Sequence, residues 1–165
     1  MNAAPKARRK VLAIASGVAL AVALATFWLR PHIGPLLGLG SPTALQPADM
    51  EVLALGEKVY ATHCAACHGA QLEGQPNWRE RDASGRLPAP PHDASGHTWH
   101  HADALLVRIT QLGVARAAGL KDYDSAMPAY EGVLSDEEIV AALSWIKSQW
   151  PAEVRAKHDQ INAQA

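Results

Sequence analysis

Two thiols and an imidazole stand together in the stretch Cys64-Ala65-Ala66-Cys67-His68. Cysteines three apart on a helical turn lie near one face. The histidine directly after the second cysteine can then reach a metal held on that face through a ring nitrogen. Cys-x-x-Cys-His is the attachment signal of a c-type haem: each thiol adds across a haem vinyl group to form a thioether, and the histidine takes the iron. Cys64 and Cys67 are the only two cysteines in the chain. A disulfide between them would leave His68 without a role. A thioredoxin-like redox pair belongs near a βαβ pattern, and none surrounds this one. A zinc site would want two more ligands at metal spacing, a reading that the eight histidines keep barely open. The expectation is one covalent haem c, attached through Cys64 and Cys67, with His68 as an axial iron ligand.

Iron bound by one histidine has one axial position left, and what fills it decides what the protein does. The chain has three methionines. Met1 lies ahead of an apolar N-terminal run, on its cytoplasmic side. Met50 begins the segment leading into the motif, too close in sequence to wrap to the opposite haem face. Met127 is 59 residues past His68, enough chain to travel around the haem. Pro128 has no backbone N–H and disfavours helix at Met127, so the thioether is presented from a loop. A lone methionine otherwise fills a core; elimination and loop position favour Met127 as the second axial ligand. His97, His100 and His101 are the fallback, and would give bis-histidine ligation at a lower potential than His/Met.

His97-Thr98-Trp99-His100-His101-Ala102-Asp103 also resembles a metal cluster. The plainer expectation is a helix from about Trp99 to Gly113 capped by Thr98, with Leu105, Leu106, Ile109 and Leu112 as its apolar stripe. Trp99 then packs, or donates its indole hydrogen to a haem propionate.

Helices must position these groups. Nearly half of the residues are hydrophobic, yet one is Phe; alanine and leucine, strong helix formers, supply much of the rest. Asp49 can cap a helix from about Met50 to Thr62, with Val52, Leu55, Val59 and Ala66 on one apolar side. Gly56 weakens that helix, which makes sense where another helix crosses closely. Gly69 closes the turn after the motif. Residues 70–98 read as a loop, and Leu87-Pro88-Ala89-Pro90-Pro91 within it is stiff and extended. That segment is placed to wall one haem edge and to offer the His68 imidazole a backbone carbonyl, which would orient the ring and strengthen the ligand; the sequence does not say which carbonyl. Residues 113–125 form a loop with one helical turn near Arg116–Gly119. Ser135 and Glu138 then form a capping box for the last strong helix. Its inward stripe is Ile139, Val140, Leu143 and Ile146 with Trp145 beside it, and Pro151 stops it.

Residues 1–10 are basic, and Val11 to Leu29 gives 19 residues without a charge, about the length that spans a bilayer. The positive-inside rule keeps Lys6 to Lys10 cytoplasmic, and Trp28 sits at the interface. The expectation is an uncleaved transmembrane anchor over 11–29. The rival is a signal peptide, since Ala23-Leu24-Ala25 resembles a cleavage site. Either way the remainder is exported. Residues 30–48, rich in Pro and Gly, are a tether, and residues 152–165 are a polar tail, either a helical extension or frayed. All 16 acidic residues lie at or after Asp49, whereas Lys6, Arg8, Arg9, Lys10 and Arg30 precede it, so the chain from Ser41 onward carries a net −6 with histidines neutral. That balance argues against nucleic-acid binding and suits either ordinary solubility or a basic partner face.

With Cys64-Ala65-Ala66-Cys67-His68-Gly69, Met127-Pro128-Ala129-Tyr130 and Leu134-Ser135-Asp136-Glu137-Glu138-Ile139, the chain resembles the class I cytochrome c family over about Asp49 to Pro151. In that family the first and last helices cross near a glycine and an aromatic; Gly56, Tyr60 and Trp145 match that pairing. The resemblance implies an all-α fold wrapped around one haem, spanning 49–151 here. It implies Cys64 and Cys67 as attachment points, His68 as proximal ligand and Met127 as distal ligand. It also implies a carrier of single electrons between membrane complexes. The N-terminal run and the long loop from Leu72 to Gly96 depart from the short soluble carriers and resemble membrane-anchored bacterial monohaem cytochromes.

The leading expectation is therefore a one-electron carrier, not an enzyme by itself, held at the periplasmic side of the inner membrane and serving redox protein partners. An alternative is the cytochrome subunit of a larger oxidoreductase. The alternatives are a haem protein that binds or senses a gas at a labile sixth position, and a metal-handling module built on His97–His101.

Overall fold

The computed structural model describes residues 43–165. The basic segment, the anchor over 11–29 and most of the linker lie outside the described residues. Within them, no helix is long and apolar enough to cross a membrane.

Helix α1 runs Met50–His63. Asp49 caps it: its Oδ1 accepts from the N–H groups of Glu51 and Val52 at 3.0 and 3.2 Å, satisfying two donors with no partner inside the helix. The single turn α2, Ala65–His68, follows Cys64. The chain leaves it through Gly69 at φ 81°, a conformation that side-chain-bearing residues rarely adopt. The loop from 70 to 97 contains turns and no helix. A 3-10 turn at Thr98–His100 precedes α3, Asp103–Leu112, and α4, Val114–Ala118. Helix α5 spans Asp136–Ser148 and opens with the expected capping box: Ser135 Oγ accepts from Glu138 N–H, and Glu138 Oε2 accepts from Ser135 N–H. Helix α6, Ala152–Asn162, closes the chain. The described residues contain no strand; Glu131 and Leu134 make an isolated β-bridge.

The framework is the crossing of α1 and α5. A Cβ on Gly56 would run into the backbone carbonyl of Ala141 and stand 2.9 Å from Trp145 Cβ, so only a bare backbone allows the two helices to meet there. Just past the crossing, the rings of Tyr60 and Trp145 lie 4.8 Å apart. Around this point Val59, Tyr60, Leu106, Val107, Leu134, Ile139, Val140, Leu143, Ile146 and Trp150 are buried in one cluster. Each large apolar side chain withdrawn from water stabilises the fold by about 1.5–3 kcal/mol. Gly56 also decides which face of α1 turns inward. Gly56, Val59 and Tyr60 are buried, whereas Leu55, expected on the apolar side, is 39% exposed and Ala66 is also exposed.

The helix expected from Trp99 to Gly113 is interrupted. Thr98 does not cap it, because its hydroxyl is hydrogen-bonded to His92 Nδ1 at 2.7 Å. His101 is extended (φ −110°, ψ 136°), and its carbonyl accepts a hydrogen bond from His158 Nε2–H at 3.0 Å. The α-helix begins only at Asp103, whose own carboxylate accepts from Leu45 N–H at 2.9 Å.

Residues 152–162, read from sequence as part of a tail, are a helix stapled to this junction. His158 is completely buried. Asn162 Nδ2 donates to Asp103 Oδ1 at 3.0 Å and to His158 Nδ1 at 3.3 Å, while Asn162 Oδ1 accepts from Asp103 N–H at 2.7 Å. Lys147, almost wholly buried, pairs with Asp159 at 2.6 Å. The end of the linker is docked as well: Leu45 is buried, and Gln46 N–H donates to Ser144 Oγ at 2.9 Å.

Candidate haem site

Cys64 follows α1 directly, and α2 turns back over it. The N–H groups of Cys67 and His68 both donate to the Cys64 carbonyl, at 3.1 and 2.9 Å, closing the turn that carries both thiols and the imidazole. Both cysteines are free, Cys64 half-buried and Cys67 exposed. Burial, with the neighbouring Cys67, pushes the Cys64 thiol up to about 11, so before attachment it is a protonated, apolar-facing thiol.

His68 is buried. Its Nδ1 lies 2.8 Å from the carbonyl oxygen of Pro90, so Nδ1 carries the hydrogen and donates. That fixes the tautomer with Nε2 bare, the form in which imidazole binds a metal. Burial lowers the ring's pKa below the ordinary histidine value, partly offset by the Pro90 bond, and keeps it neutral. The stiff proline segment thus supplies the expected carbonyl, and Pro90 is the residue. The loop is pinned near the motif: Gly74 N–H donates to His68 O at 2.8 Å, and Gln75 N–H donates to Ala89 O at 2.9 Å.

A second histidine, which the sequence did not single out, lies against the first. His92 stacks on His68 with ring centroids 3.9 Å apart and planes 20° from parallel. Desolvation, then the neighbouring His68 and His97, push its pKa well below the ordinary value. Its N–H donates to Leu72 O at 2.8 Å, and its carbonyl accepts from Trp150 Nε1–H at 2.7 Å. No spacing rule pointed to it; it is a lone histidine two residues beyond Pro90 in a segment read only as loop.

Met127 is half-buried in the loop between α4 and α5, where its N–H donates to Ser125 Oγ at 3.1 Å. Three residues on, Tyr130 ties this loop to the motif. Its hydroxyl donates to His63 O, the last carbonyl of α1, at 2.6 Å, and its ring meets His63 edge-on. The N–H groups of Tyr130 and Glu131 donate to Thr110 and Gln111 carbonyls at 3.1 and 3.0 Å. In the sequence Tyr130 stands out only as part of the Met127 segment; its hydroxyl joins the loop to the end of α1, next to Cys64. Tyr60 closes the same region, donating to Gly69 O at 2.7 Å.

The histidines at 97, 100 and 101 lie near one another but engage aromatic rings in place of a common metal position. His97 stacks on Trp78, His100 stacks on Trp99, and His101 meets His97 edge-on at 5.4 Å. Among the described residues, no group of three or more His, Cys, Asp or Glu side chains is placed to hold a metal ion. Trp99 packs against the core cluster, as one of its two expected roles had it, and donates its indole N–H to Ala94 O at 3.3 Å.

The donor set fits haem c: two free thiols on one turn, then a buried neutral imidazole with a bare Nε2 held from behind. A sequence model of the Cytochrome c family matches residues 53–150, more than half of the chain and all of the groups just described. The chain belongs to the cytochrome c family. With that family come a covalently bound haem c, for which Cys64 and Cys67 provide the motif, and haem-based electron transfer as the general role. No curated protein and no solved structure matches the chain.

Proposed function

We propose that this protein is a one-electron carrier whose haem iron is held by His68 on one side and Met127 on the other. One observation carries the reading: His68 is buried and donates Nδ1–H to Pro90 O, directly after two free thiols on the same turn. This leaves Nε2 bare and the ring electron-rich. Bound there, haem supplies a one-electron couple. The chain's own residues attach it by two thioethers, orient the proximal imidazole and exclude water beneath it. The distal assignment draws on Tyr130, whose bond to His63 brings the Met127 loop to the end of α1, beside the motif.

The apolar run 11–29 then anchors the domain in the inner membrane, with the haem on the periplasmic side and residues 30–42 as tether. The net −6 from Ser41 onward suits donors and acceptors that present basic faces, and such docking weakens as salt rises. Whether the carrier serves alone or as the cytochrome subunit of an oxidoreductase, its iron has no open position for substrate.

The test is the visible spectrum of the purified protein, oxidised and reduced, with and without carbon monoxide. The weak long-wavelength band of methionine-ligated ferric haem, with no carbon monoxide binding when reduced, is the expected result. Ready carbon monoxide binding without that band would remove Met127 as ligand and make the protein a gas-binding haem protein.

A further inference from the structure

We propose that His92 is a positioning residue that sets the plane of the proximal imidazole. The inference rests on His68 being the iron ligand and adds a second support behind it. The bond from His68 Nδ1–H to Pro90 O, at 2.8 Å, fixes which nitrogen faces the iron. It does not fix the tilt of the ring, because a hydrogen bond keeps most of its strength over tens of degrees. A flat group lying on one face removes that freedom. His92 is such a group, 3.9 Å from His68 and 20° from parallel.

A support must itself be immobile, and His92 is held at three atoms by three separate parts of the chain. Its ring Nδ1 is hydrogen-bonded to the hydroxyl of buried Thr98 at 2.7 Å. Its backbone N–H donates to Leu72 O. Its backbone carbonyl accepts from the indole of Trp150, a residue only 2% exposed. Tyr60 meets the ring edge-on at 6.4 Å. An aliphatic side chain would fill this space but would lack both the flat face and the ring nitrogen that Thr98 grips. The bond to Thr98 is also why Thr98 is lost to helix capping, so a local rule is broken where the site gains a support.

The plane of an axial imidazole decides which iron d orbital its π system overlaps, and the g-values of ferric low-spin haem report that plane. The experiment is electron paramagnetic resonance of the haem-loaded ferric protein, comparing wild type with His92→Ala, His92→Phe and Thr98→Val. In His92→Ala the haem stays attached and low-spin, while the low-field g feature moves and broadens as the ring samples a range of tilts. His92→Phe, flat but without the ring nitrogen that Thr98 grips, gives a line narrower than that of alanine and about as broad as that of Thr98→Val. Thr98→Val, which frees the His92 ring without removing it, shifts and broadens the line less than alanine does. A His92→Ala spectrum superimposable on wild type overturns the proposal, as does a His92→Phe line as broad as that of alanine. If His92→Ala accumulates without haem, Thr98→Val decides: broadening supports the proposal and an unchanged line overturns it. Incorporating 15N-histidine separates the two readings. Loss of a coordinated histidine nitrogen coupling in wild type removes His68 as ligand, whereas a coupling that persists beside an unchanged His92→Ala spectrum removes only the role of His92.

Discussion

The two sides of the candidate site are held in different ways. His68 is gripped from its own turn, from the proline segment through Pro90 and from His92, with Thr98 and Trp150 behind. Met127 has one local bond, to Ser125 Oγ, and its loop is fixed on the far side by Tyr130. The proximal candidate sits in a finished socket; the distal candidate lies in a loop tied on one side by Tyr130 and on the other only by the exposed Arg86–Asp124 pair at 3.8 Å and by Arg81 over the Tyr123 ring. The difference shows where a chain of this size spends its order. The covalent side has to receive the haem correctly, and most of the fixed contacts are gathered there.

The comparison breaks most completely if both sides lose their common floor. Gly56→Ala drives a methyl group into the Ala141 carbonyl, and overpacking of this kind costs roughly 3 kcal/mol. Thermal unfolding of the haem-loaded protein should show it as a large drop in midpoint, with the proximal and distal spectral signatures lost together. Met127→Ala breaks the distal side only. The proximal ligand and covalent attachment persist, the reduced protein binds carbon monoxide that wild type refuses, and the reduction potential falls; flash photolysis and a redox titration check these outcomes. Tyr130→Phe sharpens the contrast without removing a ligand. Losing its bond to His63 O costs about 1 kcal/mol, which raises the population of the detached loop roughly fivefold. Displacement of the distal ligand by added imidazole should quicken by a similar factor, while proximal signatures stay fixed.

The smallest effect lies away from both sides. His158 is buried as a neutral ring donating to His101 O, beside Asp103, Asp159 and Lys147. Burial, then the Lys147 charge, lower its pKa below the 6.5 of a free histidine, against the opposing pull of the two aspartates. Between the folded value and 6.5 the unfolded chain binds more protons, so stability rises with pH there. This contribution is complete above 6.5 and is lost as pH falls through 6.5 toward the folded value. Thermal midpoints measured from pH 7.5 downward should therefore decline more steeply in wild type than in His158→Gln. Equal slopes would show that the staple is not titrating.

Much of this was legible in the sequence because local chemistry and tertiary demand agree. Asp49, Gly69, Ser135 and Glu138 act within four residues of themselves, and their roles follow from side chain and spacing alone. Gly56 was legible for a different reason: a glycine that weakens a helix needs a neighbour to justify it. The expectation of a carbonyl from the proline segment rested on what a metal-bound histidine requires. What stayed hidden involves partners distant in sequence. Thr98 reads as a helix cap until His92 takes its hydroxyl, and His101 reads as helical until His158 takes its carbonyl. Residues 152–162 have too few apolar side chains to announce burial; they dock through Val154, His158 and Asn162, and polar docking has no periodic signature. Leu55 and Ala66 were placed on the wrong face because periodicity alone cannot tell which side of a helix meets its neighbour.

The crossing at Gly56 also has a consequence for the order of events during biosynthesis. Gly56 meets Ala141, 85 positions later in the chain. Helix α1 and the Cys64–His68 turn emerge well before α5 and cannot make this crossing until residue 141 has been made. Contacts so far apart in sequence form late, because a long loop must be ordered first. For that interval the two thiols stand on a short, unpartnered stretch of chain, open to whatever machinery joins them to the haem. Once α5 has closed on α1, Cys64 is half-buried while Cys67 stays exposed, so the finished fold leaves the second thiol as the more open of the two.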